Sequence, residues 1–175
     1  AGMGDVNLNA PTPCSKWNVR ELISHILYGT VWVEDIFDGK TVSDVGSKHD
    51  GNLLGDNALA AYDDAVMRAK RAIVKPGASL QVCHLRRGDV TGAEYLTSMF
   101  TDVFIHGWDL AKSTGQDATL DEKLIVIGYD LAKKSEKRFR SNAAFGEGRV
   151  QDPGDGVADQ ERMLAILGRN ADWSA

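Results

Sequence analysis

Three ionisable residues stand close together in "TDVFIHGWDL": Asp102, His106 four positions later, and Asp109 three beyond that. Helical geometry places residues i and i+4 one above the other on the same face, so Asp102 and His106 can reach a single point. Carboxylate and imidazole arms projected inward from a helix are what a divalent metal needs in a bundle. Met99, Val103, Ile105 and Leu110 bracket the pair. An ionised Asp beside such an apolar stripe is costly to bury unless it is paired or bound to a cation.

A third ligand is offered by His25 in "ELISHILYG", which shares a helical edge with Gly29, Trp32 and Ile36. The small Gly29 is expected to leave room near the imidazole; the plain alternative is a satisfied histidine at the core edge. His, Asp and His with open positions suit a reactive metal, because water or a substrate atom completes the shell. Zinc is the first expectation, and nickel, iron or cobalt share the same donor types. For Asp109 three readings stand: an acceptor that orients an imidazole, a solvent-facing carboxylate, or a cap on the neighbouring loop. His84 reads as a surface histidine or the lining of a mouth above the site, and His49 receives no role. Trp108 is close enough in sequence to wall a pocket, whereas Trp17, Trp32 and Trp173 read as packing residues. Cys14 and Cys83 match no paired-cysteine pattern and read as structural thiols.

These residues need helices to hold them. Asn18 with Glu21, Thr91 with Glu94 and Thr119 with Glu122 have capping-box spacing. The first opens a helix to about Phe37, the second one of about 20 residues ending before Thr114. The third opens a helix carrying Leu124, Ile127, Leu131 and Phe139. A further helix is expected from about Asn57 to Val74, with Leu59, Tyr62, Val66, Ala69 and Ile73 on one face, and a short one in "ADQERMLAILG". "SLQVCHL" reads as a strand-like arm, "RRGD" as a turn, and residues 1–17, 39–55 and 141–157 as irregular connections. Four substantial helices and little strand predict an all-α bundle in a single domain over residues 1–175.

A net charge of −5 on 175 residues excludes the electrostatic footprint of a nucleic-acid binder. The basic run Lys133, Lys134, Lys137, Arg138 and Arg140 is broken by Glu136 and reads as the end of a helix. No apolar stretch nears the roughly 18–20 residues of a membrane helix, and no basic-then-apolar leader opens the chain, which predicts a cytoplasmic protein. GxSxG, GxxxxGK and GxGxxG signatures are absent.

"APTPCSKWNVRELISHIL", "VTGAEYL…TDVFIHGWDLAKSTGQ" and "ERMLAILGR" together resemble the DinB-like superfamily that includes mycothiol-dependent maleylpyruvate isomerase, over roughly residues 8–173. The resemblance is to a small single-domain branch of metal-binding proteins. It implies a four-helix bundle holding a divalent metal through His25, Asp102 and His106. It also implies a low-molecular-weight thiol, mycothiol or a similar one, activated for S-transfer or isomerisation; a non-catalytic bundle with a structural or vacant metal site is the alternative. A coordinated thiol loses its proton and becomes a nucleophile at neutral pH. Asp102 replaces the isomerase's Glu with a shorter arm, and the isomerase's further C-terminal domain has no counterpart in this length. Nine residues precede Ala10, where relatives carry a helix, so the first family helix is expected to be short or missing, with additional C-terminal helices after the bundle. The segment Asp121–Arg140 or a partner in a homodimer is expected to cover the face so exposed.

Overall fold

The structure, a computed structural model, describes residues 6–140, 154 and 156–175, with side chains described except at 135–140. Most of residues 141–157, and the side chains of Glu136, Lys137, Arg138, Phe139 and Arg140, lie outside the described residues. The order of elements is α1 (Val19–Phe37), α2 (Val42–Val45), α3 (Ala58–Ile73), a 3-10 turn (Ala78–Leu80), β1 (Val82–Leu85), β2 (Gly88–Thr91), α4 (Gly92–Ser113), α5 (Glu122–Arg140) and α6 (Asp159–Ile166). Helix dominates, with one antiparallel hairpin.

Two of the three expected capping boxes form. Asn18 Oδ1 accepts from the Glu21 amide at 3.0 Å while the Glu21 carboxylate accepts from the Asn18 amide at 2.8 Å, opening α1. Thr91 and Glu94 do the same for α4, at 3.2 and 2.8 Å. The third does not form. Asp121 caps α5 instead, its Oδ1 accepting from Lys123 at 2.9 Å and Leu124 at 3.2 Å. A short acidic side chain immediately before the first turn reaches these amides more directly than Thr119 can.

The chain forms two compact units, one of Ile23–Phe100 and the other of the chain up to Leu22 with Thr101–Ala175. In the first, Val33, Ile36 and Phe37 of α1, Ala72 of α3, Ala78, Cys83 and Tyr95 make the core. The face foreseen for α3 holds in part: Ala69 and Ile73 pack against this core, but the fully buried positions are Ala65 and Ala72, and Leu59 is exposed. Gly92 is required here, because a Cβ on it would stand 1.9 Å from the Ala78 carbonyl oxygen. The expected arm begins later than "SLQ": β1 pairs with β2 around Arg86 and Arg87, and Gly88 and Asp89 belong to β2.

Residues 39–55 are more ordered than an irregular connection. Thr41 and Asp44 form an unforeseen capping box that opens α2. Lys40, Lys48 and His49 all converge on Asp35, which is buried in α1. In the second unit, Ile105 and Trp108 of α4, Ala132 of α5, and Met163, Leu164, Ile166 and Leu167 from α6 and its cap close the core. Gly128 lets α5 come close, since a Cβ there would lie 2.8 Å from Met163 Sδ and 2.9 Å from Phe104 Cε1.

Candidate metal centre

Asp102 stands at the middle of α4 and His106 and Asp109 in its C-terminal half, with His106 and Asp109 buried beside the core residues Ile105 and Trp108. The imidazole stands between two carboxylates. Its Nδ1 is 2.9 Å from Asp109 Oδ2, and its Nε2 is 3.5 Å from Asp102 Oδ1. The Trp17 ring lies 5.5 Å from the imidazole, centroid to centroid.

Two further residues close the far side of Asp109. Arg169 donates from Nε to Asp109 Oδ1 at 3.2 Å and from Nη2 to Oδ2 at 2.8 Å. The same Nη2 is 2.8 Å from Cys14 Sγ, and the Cys14 thiol donates to Asp109 Oδ2 at 3.2 Å. Cys14 is placed by a tight turn in which its amide donates to Thr12 Oγ1 at 3.1 Å, and the Thr12 hydroxyl donates to the carbonyls of Cys14 and Trp17. Arg169 is placed by the end of α6. Gly168, at φ 76°, allows its own amide to reach the Ala165 carbonyl and the Arg169 amide to reach that of Leu164, a Schellman closure.

Burial alone would depress the His106 pKa, but its contacts with Asp102, Asp109 and Cys14 prevail and push it up to about 11. Burial works against the Asp109 carboxylate too, and His106 and Arg169 outweigh it, holding the group below the usual carboxylate range. An ionised carboxylate only accepts, so Nδ1 of His106 carries a proton. Nε2 then faces a second carboxylate, Asp102. Two acceptors cannot face each other without a cation between them; a proton serves, and so does a metal. Bonds of roughly 2.0–2.2 Å at a tetrahedral angle would set two donors about 3.4 Å apart, close to the separation found. The donor set therefore fits a divalent ion on the Nε2 side.

Cys14, His106 and Asp109 also offer ligand atoms within 4.8 Å of one another. That side is already served by the Arg169 guanidinium, which touches both the thiol and the carboxylate. A cleft of about 480 Å³ lies beside Trp17, lined also by Pro11, Thr12, Ser15, Lys16, Asn18 and Trp173.

His25 lies half-buried on α1. The space beside Gly29 goes to the Met99 methyl, 3.4 Å from where a Cβ would be, which corrects the expectation that Gly29 makes room for the imidazole. His84 is a surface histidine paired with Asp89 directly across the hairpin at 2.8 Å. His49, given no role, is buried with its Nε2 2.7 Å from Asp35. Trp108 is buried in the core, and Trp17, read as a packing residue, lines the cleft. Cys14, read as a structural thiol, and Arg169, not singled out at all, are the residues sequence reasoning missed. The available signals were the Thr12-x-Cys14 turn and a Gly-Arg pair closing a helix, both inside the stretches that carry the resemblance.

Two uncharacterized proteins from strains of Mycobacterium tuberculosis are each 30% identical to this chain over 172 residues, covering 93% of it and 85% of their own length. No solved structure gives a significant match. The family model for the mycothiol maleylpyruvate isomerase N-terminal domain matches residues 1–111, which contain His25, Asp102, His106 and Asp109. The chain belongs to the mycothiol maleylpyruvate isomerase N-terminal domain family.

Proposed function

We propose that this protein binds a divalent metal through His25, Asp102 and His106 and acts on a low-molecular-weight thiol of the mycothiol type, in S-transfer or isomerisation chemistry. The carrying observation is the orientation of His106: Nδ1 is taken by buried Asp109, which leaves Nε2 facing Asp102 across 3.5 Å. Asp109 is thus the acceptor that sets the tautomer and turns the ring. His25 enters on family membership and on its place in the matched residues. Nitrogen and oxygen donors suit zinc first, then nickel, iron or cobalt. When bound, the metal would lower the pKa of a coordinated thiol or water so that it reacts at neutral pH.

The chain's own residues divide the remaining work. Asp102, with 30% of its side chain exposed, can meet solvent and substrate on the Nε2 side. Trp17 shields the imidazole, and the cleft it shares with Trp173 is the room proposed for the thiol or its electrophile. The reading extends to a four-helix DinB-like bundle working as a homodimer in the cytoplasm; exposed Leu124 and Ile127 on α5 offer apolar surface for a second copy. Among the described residues no helix is long and apolar enough to cross a membrane.

The raised His106 pKa favours one rival, a non-catalytic bundle in which a permanent imidazolium between two carboxylates needs no metal. Metal analysis of untagged protein separates the two. One equivalent in wild type that disappears in His106→Ala supports the proposal; wild type without metal after reconstitution refutes it. Thiol conjugation lost on chelation and regained with added metal would then establish the enzymatic half.

A further inference from the structure

We propose that Arg169 is a positioning residue of this centre: by gripping Asp109 at two points it fixes the carboxylate that turns His106 Nε2 toward the metal. The inference rests on the metal reading above and reaches beyond it, because Arg169 lies outside the residues the family model matches.

The guanidinium is buried, and each of its three nitrogens is engaged. Nε and Nη2 hold Asp109, Nη1 donates to the Leu167 carbonyl at 2.7 Å, and Nη2 also reaches Cys14 Sγ. A carboxylate gripped through both oxygens by a planar fork has one orientation. Asp109 Oδ2 is then fixed where His106 Nδ1 must meet it. Without the fork its remaining side-chain partners, His106 Nδ1 and the Cys14 thiol, both meet Oδ2 and nothing holds Oδ1, so the carboxylate could turn about its own bond and carry the imidazole with it. Stability alone gives little reason to keep such a pair, since apolar residues of similar volume often replace a buried ion pair without loss. The backbone that delivers Arg169 is equally specified, because the left-handed Gly168 and the Schellman closure of α6 aim the chain back at α4.

The test uses full-length protein stripped with chelator and titrated with cobalt(II) against a chromophoric competitor, in wild type, Arg169→Met, Arg169→Lys and His106→Ala. Near-UV circular dichroism confirms the fold of each variant before titration. The expected result is one site in wild type, none in His106→Ala, and roughly 10- to 100-fold weaker binding in Arg169→Met. Arg169→Lys should recover only part of the loss, because a lysine restores charge without the fork. In the zinc-loaded protein the His106 Nδ1 proton resonance should be sharp in wild type and broadened or lost in Arg169→Met, a signature a purely structural role would not move. A folded Arg169→Met with wild-type affinity and an unchanged resonance overturns the inference and leaves the metal reading intact. Should Arg169→Met fail to fold, wild-type affinity in Arg169→Lys overturns it equally. Wild type that binds no cobalt removes the metal reading and this inference together.

Discussion

Asp102 and Asp109 flank one imidazole, yet loss of the carboxylate should be felt differently at the two positions. Asp109 is fully buried and ion-paired to Arg169, so Asp109→Ala leaves a buried cation uncompensated and should cost about 3–5 kcal/mol. Asp102 is partly exposed, and Asp102→Asn should change unfolding by less than about 1 kcal/mol while removing a metal ligand. Urea unfolding in chelator, beside metal titration, reads the two effects separately. A titration of a different kind belongs to Asp35. Burial raises its pKa, but Lys40, Lys48 and His49 together prevail and hold it below the usual carboxylate range. The folded state then binds fewer protons than the unfolded one. Asp35 therefore adds stability above its unfolded pKa of about 3.9, and that contribution is lost as pH falls below this value toward the folded pKa. Asp35→Asn should cost roughly 1–3 kcal/mol at pH 7 and flatten the acid limb of a stability-versus-pH curve below about pH 4. An unchanged acid limb would refute the assignment.

Among the elements, two glycines test close packing. Gly92→Ala would drive a methyl into the Ala78 carbonyl, a backbone atom that cannot step aside, and should cost about 3 kcal/mol or more. Gly128→Ala gains about 1 kcal/mol of helix propensity. The atoms it meets first, Met163 Sδ and the edge of the Phe104 ring, belong to side chains and not to backbone, so a smaller net loss in thermal unfolding is expected, and a net gain would mean these side chains can move. The helices were legible because their signals are local. Asn18 with Glu21 and Thr91 with Glu94 announce α1 and α4, and the i, i+4 spacing of Asp102 and His106 is legible on α4 before any tertiary structure exists. Residues 39–55 were not, because a polar loop looks irregular until Asp35 gathers the side chains of Lys40, Lys48 and His49. The Gly-Arg pair at the end of α6 was legible, but what Arg169 reaches was not, for the same reason. Its partner stands 60 residues away, and no periodicity in α6 points there.

For the molecule as a whole, the metal is proposed to bind a protein that is already folded. Each unit has its own apolar core, Val33, Ile36, Phe37 and Tyr95 in one and Ile105, Trp108, Met163 and Leu164 in the other. Neither core contains a proposed ligand, so chelation should leave cooperative unfolding in place. Metal binding to the folded form alone then adds stability by mass action, about 2.7 kcal/mol at a free metal concentration 100 times Kd. For a chain of this size that is a rise in Tm of roughly 5–11 °C. The rise should grow with the logarithm of zinc concentration, vanish in His106→Ala, and shrink in Arg169→Met. A permanent imidazolium between two carboxylates makes a different forecast, because a site closed by a proton gains nothing from zinc. A wild-type Tm indifferent to zinc across three decades of concentration would decide for the closed ion cluster.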